Sequence, residues 1–431
     1  MVMKRKSSDF INTIILTVLV LLLYRCYYYI GFSGYTTSMG YMALGIYVIM
    51  FIHGFRAFLY SDFKKERLIV ICTFITFLLS CLLFNNKFSS FSRYLIPLSF
   101  ISYFWLIKNK VSSSVVESVL VIAAVIYLFC WLYQVSQIPN TVFGNREIEI
   151  NSGRGFARFW IVTKEHLPFL MFYALAMYNR CKKILWMVIA FVVFSVVILH
   201  VVRQMIVWSG VMAISYYFYV NKKSTLKLLL FLIILLIVLN YFTTYFTAID
   251  DLMVLTQDSK NTVNSVDSDN IRIKAMLYVI KNYNTNLLTI LFGSGFPTDG
   301  SLLANKILMY MNKGFYLDDL GFVGMYCNTG LISVLLYVMI FISIFKCKVT
   351  NEYLYLKFYL AYLVLSYLGS HTLTSNMIFV VFSIYILKVN QVKFCKNPIS
   401  MRKLNNSQLS ETYNTDTSKL TQYITSTDIK L

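Results

Sequence analysis

Apolar residues run in long, nearly unbroken blocks along this chain, most of them about 17–25 residues, the length of a bilayer-crossing helix. A spanning barrel would show short alternating strands instead, and no such alternation is present. The blocks predict membrane helices over 10–30, 37–58, 68–84, 93–107, 114–135, 160–179, 184–201, 204–220, 226–247, 320–345, 353–369 and 373–388. The expected fold class is all-α: a polytopic integral membrane protein with about twelve transmembrane helices. Two polar connections are long, at 136–159 and 248–319. From 389 the chain turns polar, rich in Ser, Thr and Asn, and is expected to be a disordered tail after a membrane domain over 1–388.

Positive charge orients the helices. Lys4, Arg5 and Lys6 precede the first block. Every second connection then carries a basic cluster: Arg56 to Arg67, Lys108 and Lys110, Arg180 to Lys183, Lys222 to Lys227, Lys346 and Lys348, and Lys388 to Lys396. The short connections at 31–36 and 370–372 carry none. The positive-inside rule places the clusters and both termini in the cytoplasm, and both long connections outside.

Composition removes other readings. The chain is 58% hydrophobic and 13% charged, against about 25% charged in soluble domains. A net charge of +20 invites nucleic acid, but the cations fall in short inter-helix clusters, so no nucleic-acid partner is expected. The eight Cys show no C-x-x-C pairing and read as small apolar residues. Asp267-Ser268-Asp269 matches a loose metal-binding pattern, but helix capping explains it as well; no metal or other cofactor is expected. The segment 269–282 reads as a short helix on the outer membrane surface.

Charged groups near lipid are costly and tend to mark function. Here they gather toward the outer face: Arg154 and Arg158, Lys164, Glu165 and His166, His200 and Arg203, Arg272, Asp318 and Asp319, and His371. In a helix, Arg154 and Arg158 would share a face, as would His200 and Arg203. Guanidinium forks match phosphate oxygens, so such a set suits a pyrophosphate held by a long lipid. The plainer alternative for each is an arginine reaching up to headgroups, or a histidine satisfied in the interior. Gly293-Ser294-Gly295-Phe296 reads as a tight turn where backbone approaches something closely.

Four features together resemble the O-antigen polymerase family, within the larger group that includes O-antigen ligases. They are the helix count with two long outer connections; Arg203-Gln204-Met205 opening a helix; Arg272 followed by Leu291-Phe292-Gly293-Ser294-Gly295-Phe296; and Asp319 to Gly324 running into Gly330-Leu331-Ile332. The ligase branch often has His-Asn where this chain has Asp318-Asp319, which argues against a ligase.

The resemblance implies a glycosyltransferase at the outer face of a bacterial inner membrane. It would move a glycan from undecaprenyl pyrophosphate onto a new lipid-linked repeat unit, building an O-antigen, capsule or exopolysaccharide. Arg154, Arg158, Arg203 and Arg272 are the expected pyrophosphate contacts, and His371, His200 and Asp319 the candidates for the catalytic base. A chain-length regulator and a flippase of the same pathway would be its protein partners. The alternatives are a flippase for lipid-linked oligosaccharide and an O-antigen ligase.

Overall fold

The computed structural model describes residues 2–24, 36–137, 140, 142–143, 149–150, 157–158, 163–200, 202–221, 271–368 and 372–391. The predicted helix over 226–247 and the tail beyond Gln391 lie outside them. The chain divides into two units, Met1–Asn390 and Gln391–Leu431. Among the described residues, the regular structure of the first is helical apart from one two-residue strand pair.

Its opening helices are α1 (Val2–Tyr24), α2 (Thr36–Tyr60), α3 (Lys64–Phe84), α4 (Phe100–Asn109) and α5 (Ser113–Ser136). Strands β1 (Glu149–Ile150) and β2 (Ala157–Arg158) pair antiparallel. Then come α6 (His166–Cys181), α7 (Ile184–Leu199) and α8 (Arg203–Val220). The second long connection carries α9 (Ile271–Asn282), α10 (Leu287–Phe292) and α11 (Leu302–Met311). The chain returns through α12 (Phe322–Lys346), α13 (Leu354–Tyr367), the single turn α14 (Thr372–Ser375) and α15 (Met377–Val389). Among the described residues, four stretches are long and apolar enough to cross a membrane: Ser38–Tyr60, Lys64–Phe84, Ser113–Ser136 and Phe322–Lys346. Shorter apolar helices accompany them, including Ser8–Tyr24, Ile184–Leu199, Leu354–Tyr367 and Met377–Val389.

Exposed Ile49, Ile52, Leu82, Phe129 and Phe191 give the bundle an apolar exterior, as a lipid-facing surface requires. Its interior is packed by rings: Tyr103, Tyr355, Tyr359, Tyr362 and Phe379 are buried. Two charge clusters tie helix ends together. The Arg180 guanidinium donates to Glu117 Oε1 at 2.9 Å and to the Glu352 carbonyl at 2.7 Å, and the Tyr355 hydroxyl donates to the same Glu117 oxygen at 2.7 Å. Lys388 is paired with the buried Glu66, so the end of α15 is tied to the start of α3.

Three expectations change. The block at 93–107 is α-helical only over Phe100–Asn109; before it the chain runs in 3₁₀ turns, Phe88–Tyr94 and Pro97–Ser99. Pro97 lacks the N–H an α-helix needs, which explains the shift. Arg158 does not share a helix face with Arg154, because it stands in β2 opposite Glu149 and the next helix starts only at His166, after Thr163 at φ 70°. His200 ends α7 while Arg203 opens α8, with Val202 extended between, so that pair is split across two helices.

The largest departure from simple spanning is in α12. Gly330, at φ 78° and ψ 171°, breaks the helix into a short piece, the outer one in the orientation expected from the positive clusters, and a long inner piece. The break deprives the Cys327 and Asn328 carbonyls of their partners four residues on. The turn after α10 supplies replacements: the Ser294 N–H donates to Cys327 O at 2.9 Å and the Gly295 N–H to Asn328 O at 3.0 Å. The second long connection is therefore not confined to the surface. Thr76, on α3, donates to the Phe292 carbonyl. That contact lies eight residues from the Phe84 end, roughly 12 Å along the helix at ~1.5 Å per residue.

Two glycines make the crossing. Gly293 is at φ 83°, and a Cβ there would stand 2.5 Å from Asn328 O and 2.6 Å from Gly330 N. A Cβ on Gly330 would strike Leu291 O and Gly293 N. We expect Gly330→Ala or Gly293→Ala to cost at least ~1–3 kcal/mol and to lower the melting temperature in detergent. Gly45→Ala, in open space on α2, should leave it unchanged or raised.

Candidate functional site

The turn after α10 is stapled to the outer end of α3. The Asn86 side chain donates to the Phe296 carbonyl at 3.2 Å and accepts from the Thr298 N–H at 3.1 Å and the Thr298 hydroxyl at 3.0 Å. The Tyr94 hydroxyl donates to Ser80 Oγ at 3.0 Å and accepts from the Phe296 N–H at 3.1 Å. The Phe296 ring meets Tyr94 edge to face, centroids 5.0 Å apart. Arg93 donates to the Pro297 carbonyl and stands 3.9 Å from Asp299.

Against this stapled turn lies a pocket of about 190 Å³. Its other walls are the 3₁₀ turn Leu317–Leu320, the outer piece of α12, and Tyr367, Ser375 and Met377. Arg93 and Asp318 bring opposite charges to it. A second pocket, about 370 Å³, lies at the same 3₁₀ turn and is lined by Arg272, Tyr316 and Asp319. Neighbouring aspartates thus serve different pockets. Arg272 is exposed near the start of α9. That helix is held through Ala275 and Val279, which pack with Tyr283, Leu303, Tyr310, Leu320 and Cys327. Beneath it Lys306 donates to the Tyr283 carbonyl and stands over the Tyr283 ring at 4.7 Å; burial lowers its pKa below the usual lysine value.

A third polar group is buried inside the bundle. His166, at the start of α6, stacks on Phe379 at 4.1 Å and meets Tyr24 edge-on at 4.7 Å. Tyr127 stands between it and His200, with centroids 5.7 Å from the first ring and 6.2 Å from the second. The buried Glu165 carboxylate accepts from Asn376 Nδ2 at 2.9 Å. Asn376 sits between Ser375 and Met377, which line the first pocket, so this interior cluster backs onto its wall.

Of the residues expected from sequence, Arg272 and Asp319 come together in one pocket. His200 lies apart, buried against Tyr127 and Trp131. Arg154 and His371 lie outside the described residues, and Arg158 and Arg203 are described in backbone only. Among the described residues no group of three His, Cys, Asp or Glu side chains could hold a metal ion; Asp267 and Asp269 lie outside them. Arg93 and the Glu165–Asn376 pair were not expected as site residues. In the sequence Glu165 reads as a charge inside an apolar block, but without an assigned role.

Compared with protein-family models and with curated proteins, the sequence matches none.

The Glu165–Asn376 pair anchors the turn between α14 and α15 to α6. Glu165→Gln keeps an acceptor for Asn376 and should melt within a few degrees of wild type. Glu165→Leu orphans the buried amide and should cost about 1–3 kcal/mol, read as a lower melting temperature in detergent.

Proposed function

We propose that this chain is an outward-facing polysaccharide polymerase, joining lipid-pyrophosphate-linked repeat units at the outer face of a bacterial cytoplasmic membrane. The observation that carries the reading is the pocket shared by Arg272 and Asp319, a cation and a carboxylate drawn from opposite ends of the second long connection. A guanidinium beside a pocket is suited to charge developing on a departing pyrophosphate. A carboxylate beside it is suited to take a proton from an acceptor hydroxyl. In the reaction the acceptor oxygen bonds to the anomeric carbon as the bond from that carbon to the pyrophosphate oxygen breaks. The acceptor's proton passes to Asp319, and the pyrophosphate leaves on its lipid carrier beside Arg272. Arg154, Arg158 and Arg203 are proposed as further contacts for the same leaving group, and His200 and His371 as alternative bases.

The topology proposed is about twelve spans with both termini in the cytoplasm. Helix-end contacts support it. Arg180 with Glu117 and Glu352, and Lys388 with Glu66, join ends assigned to the cytoplasm by the positive clusters. Asn86 with Phe296 and Thr298, and Glu165 with Asn376, join ends assigned to the outside. One helix too many or too few between two paired ends would set that pair on opposite faces.

Export of the lipid-linked unit is the second reading, and the buried Glu165 and His166 inside the bundle favour it. Glycan length profiling separates the two. Deletion of the gene should collapse a ladder of chain lengths to one repeat unit on the cell surface; loss of that unit from the surface means export. Arg272→Ala and Arg203→Ala should each fail to restore the ladder, with extension slowed about a hundredfold or more. The purified protein should extend chains in the presence of a chelator; a strict divalent-metal requirement would bring back Asp267 and Asp269 as ligands.

A further inference from the structure

The smaller pocket, between the stapled turn and α12, is lined by one buried hydroxyl without a partner, that of Tyr337, and by two more accessible polar side chains, Asp318 and Asn328. The Tyr337 side chain, on the inner piece of α12, is buried and reaches this pocket, yet its hydroxyl has no hydrogen-bond partner. Helical side chains lean toward the helix N-terminus, so the phenol points from deeper in the bundle toward the outer end of α12. Asp318 enters no ion pair among the described residues, and the Asn328 amide makes no side-chain hydrogen bond there. An unsatisfied hydroxyl inside a helical bundle costs free energy, and such groups call for a partner.

The character of that partner follows from the walls. Phenol, carboxylate and amide together offer donors and acceptors at several points around one small volume. Two aromatic residues also line it, their rings held by neighbours: Phe296 by Tyr94, and Tyr367 by Phe322, edge to face with centroids 4.8 Å apart. A ligand that is apolar on its faces and hydroxylated around its edge meets both demands, which describes a sugar ring. A pocket of about 190 Å³ is on the scale of one sugar ring. A lipid tail would leave Tyr337, Asp318 and Asn328 unsatisfied, and a phosphate would meet Asp318 as a like charge. Arg93 is already engaged with Pro297 and Asp299.

We propose that this pocket binds a single sugar ring of the acceptor repeat unit, held by Tyr337, Asp318 and Asn328 between the rings of Phe296 and Tyr367. The proposal rests on the polymerase reading and extends it. The 3₁₀ turn Leu317–Leu320 then separates two substrates, with the acceptor sugar on the Asp318 side and the donor's pyrophosphate on the Asp319 and Arg272 side.

The test measures binding to the full-length protein in detergent. The probes are the soluble repeat-unit oligosaccharide, released from the cell's own lipid-linked intermediates by mild acid, and bare undecaprenyl pyrophosphate. Tyr337→Phe removes only an oxygen without a protein partner, so it should fold as wild type. We expect Tyr337→Phe and Asp318→Asn each to bind the oligosaccharide about tenfold more weakly and the bare carrier unchanged. Oligosaccharide binding equal to wild type in both variants, absence of oligosaccharide binding by wild type, or weakening toward the bare carrier alone would each overturn the proposal. The polymerase reading is judged separately, by whether deletion of the gene leaves single repeat units on the cell surface.

Discussion

Two backbone hydrogen bonds, from Ser294 and Gly295 to the carbonyls of Cys327 and Asn328, join the second long connection to the broken helix α12. A helix broken inside a bundle exposes carbonyls that lipid cannot solvate, so a break survives only where other protein groups replace the lost partners. Here the turn after α10 fills that role, and the cost is a close backbone approach that only glycine at 293 and 330 allows. The same contact sets everything around it. It brings Phe296 against Tyr94, presents Asn328 to the pocket, and fixes the start of α12 against the 3₁₀ turn that carries Asp318 and Asp319.

The opposite end of the bundle is built differently. There the helix ends are locked by charge: Arg180 between Glu117 and Glu352, and Lys388 on Glu66. Removing one partner of such a buried pair strands the other, so these clusters hold their helices in register. One end is thus tied by ion pairs, while the other carries the two pockets and the broken helix.

Much of the helical scaffold was legible because lipid imposes a length on apolar runs. Ser113–Ser136 and Phe322–Lys346 fall within a residue or two of the blocks that predicted them. The 93–107 block misled because its hydropathy is continuous while Pro97 and the serines before it favour 3₁₀ turns. Periodicity also could not see that 287–298 enters the bundle. Its polar residues, Ser294 and Thr298, find buried partners in Asn284 and Asn86, so they do not mark a surface loop. The Gly-Ser-Gly signal did report close backbone approach, but not to what. For the site, Arg272 and Asp319 were readable as charges beside apolar runs. Tyr337 was not: it is one of 33 tyrosines, and what distinguishes it is a buried hydroxyl without a partner on a residue that lines the pocket.

The account depends most on the pockets around the Leu317–Leu320 turn facing outward. A cysteine placed at Tyr316, exposed beside the Arg272 and Asp319 pocket, tests this directly with a membrane-impermeant maleimide on intact cells. The account predicts labelling without permeabilisation, and slower labelling when lipid-linked repeat units accumulate. Labelling only after the membrane is opened would put the site in the cytoplasm and contradict it.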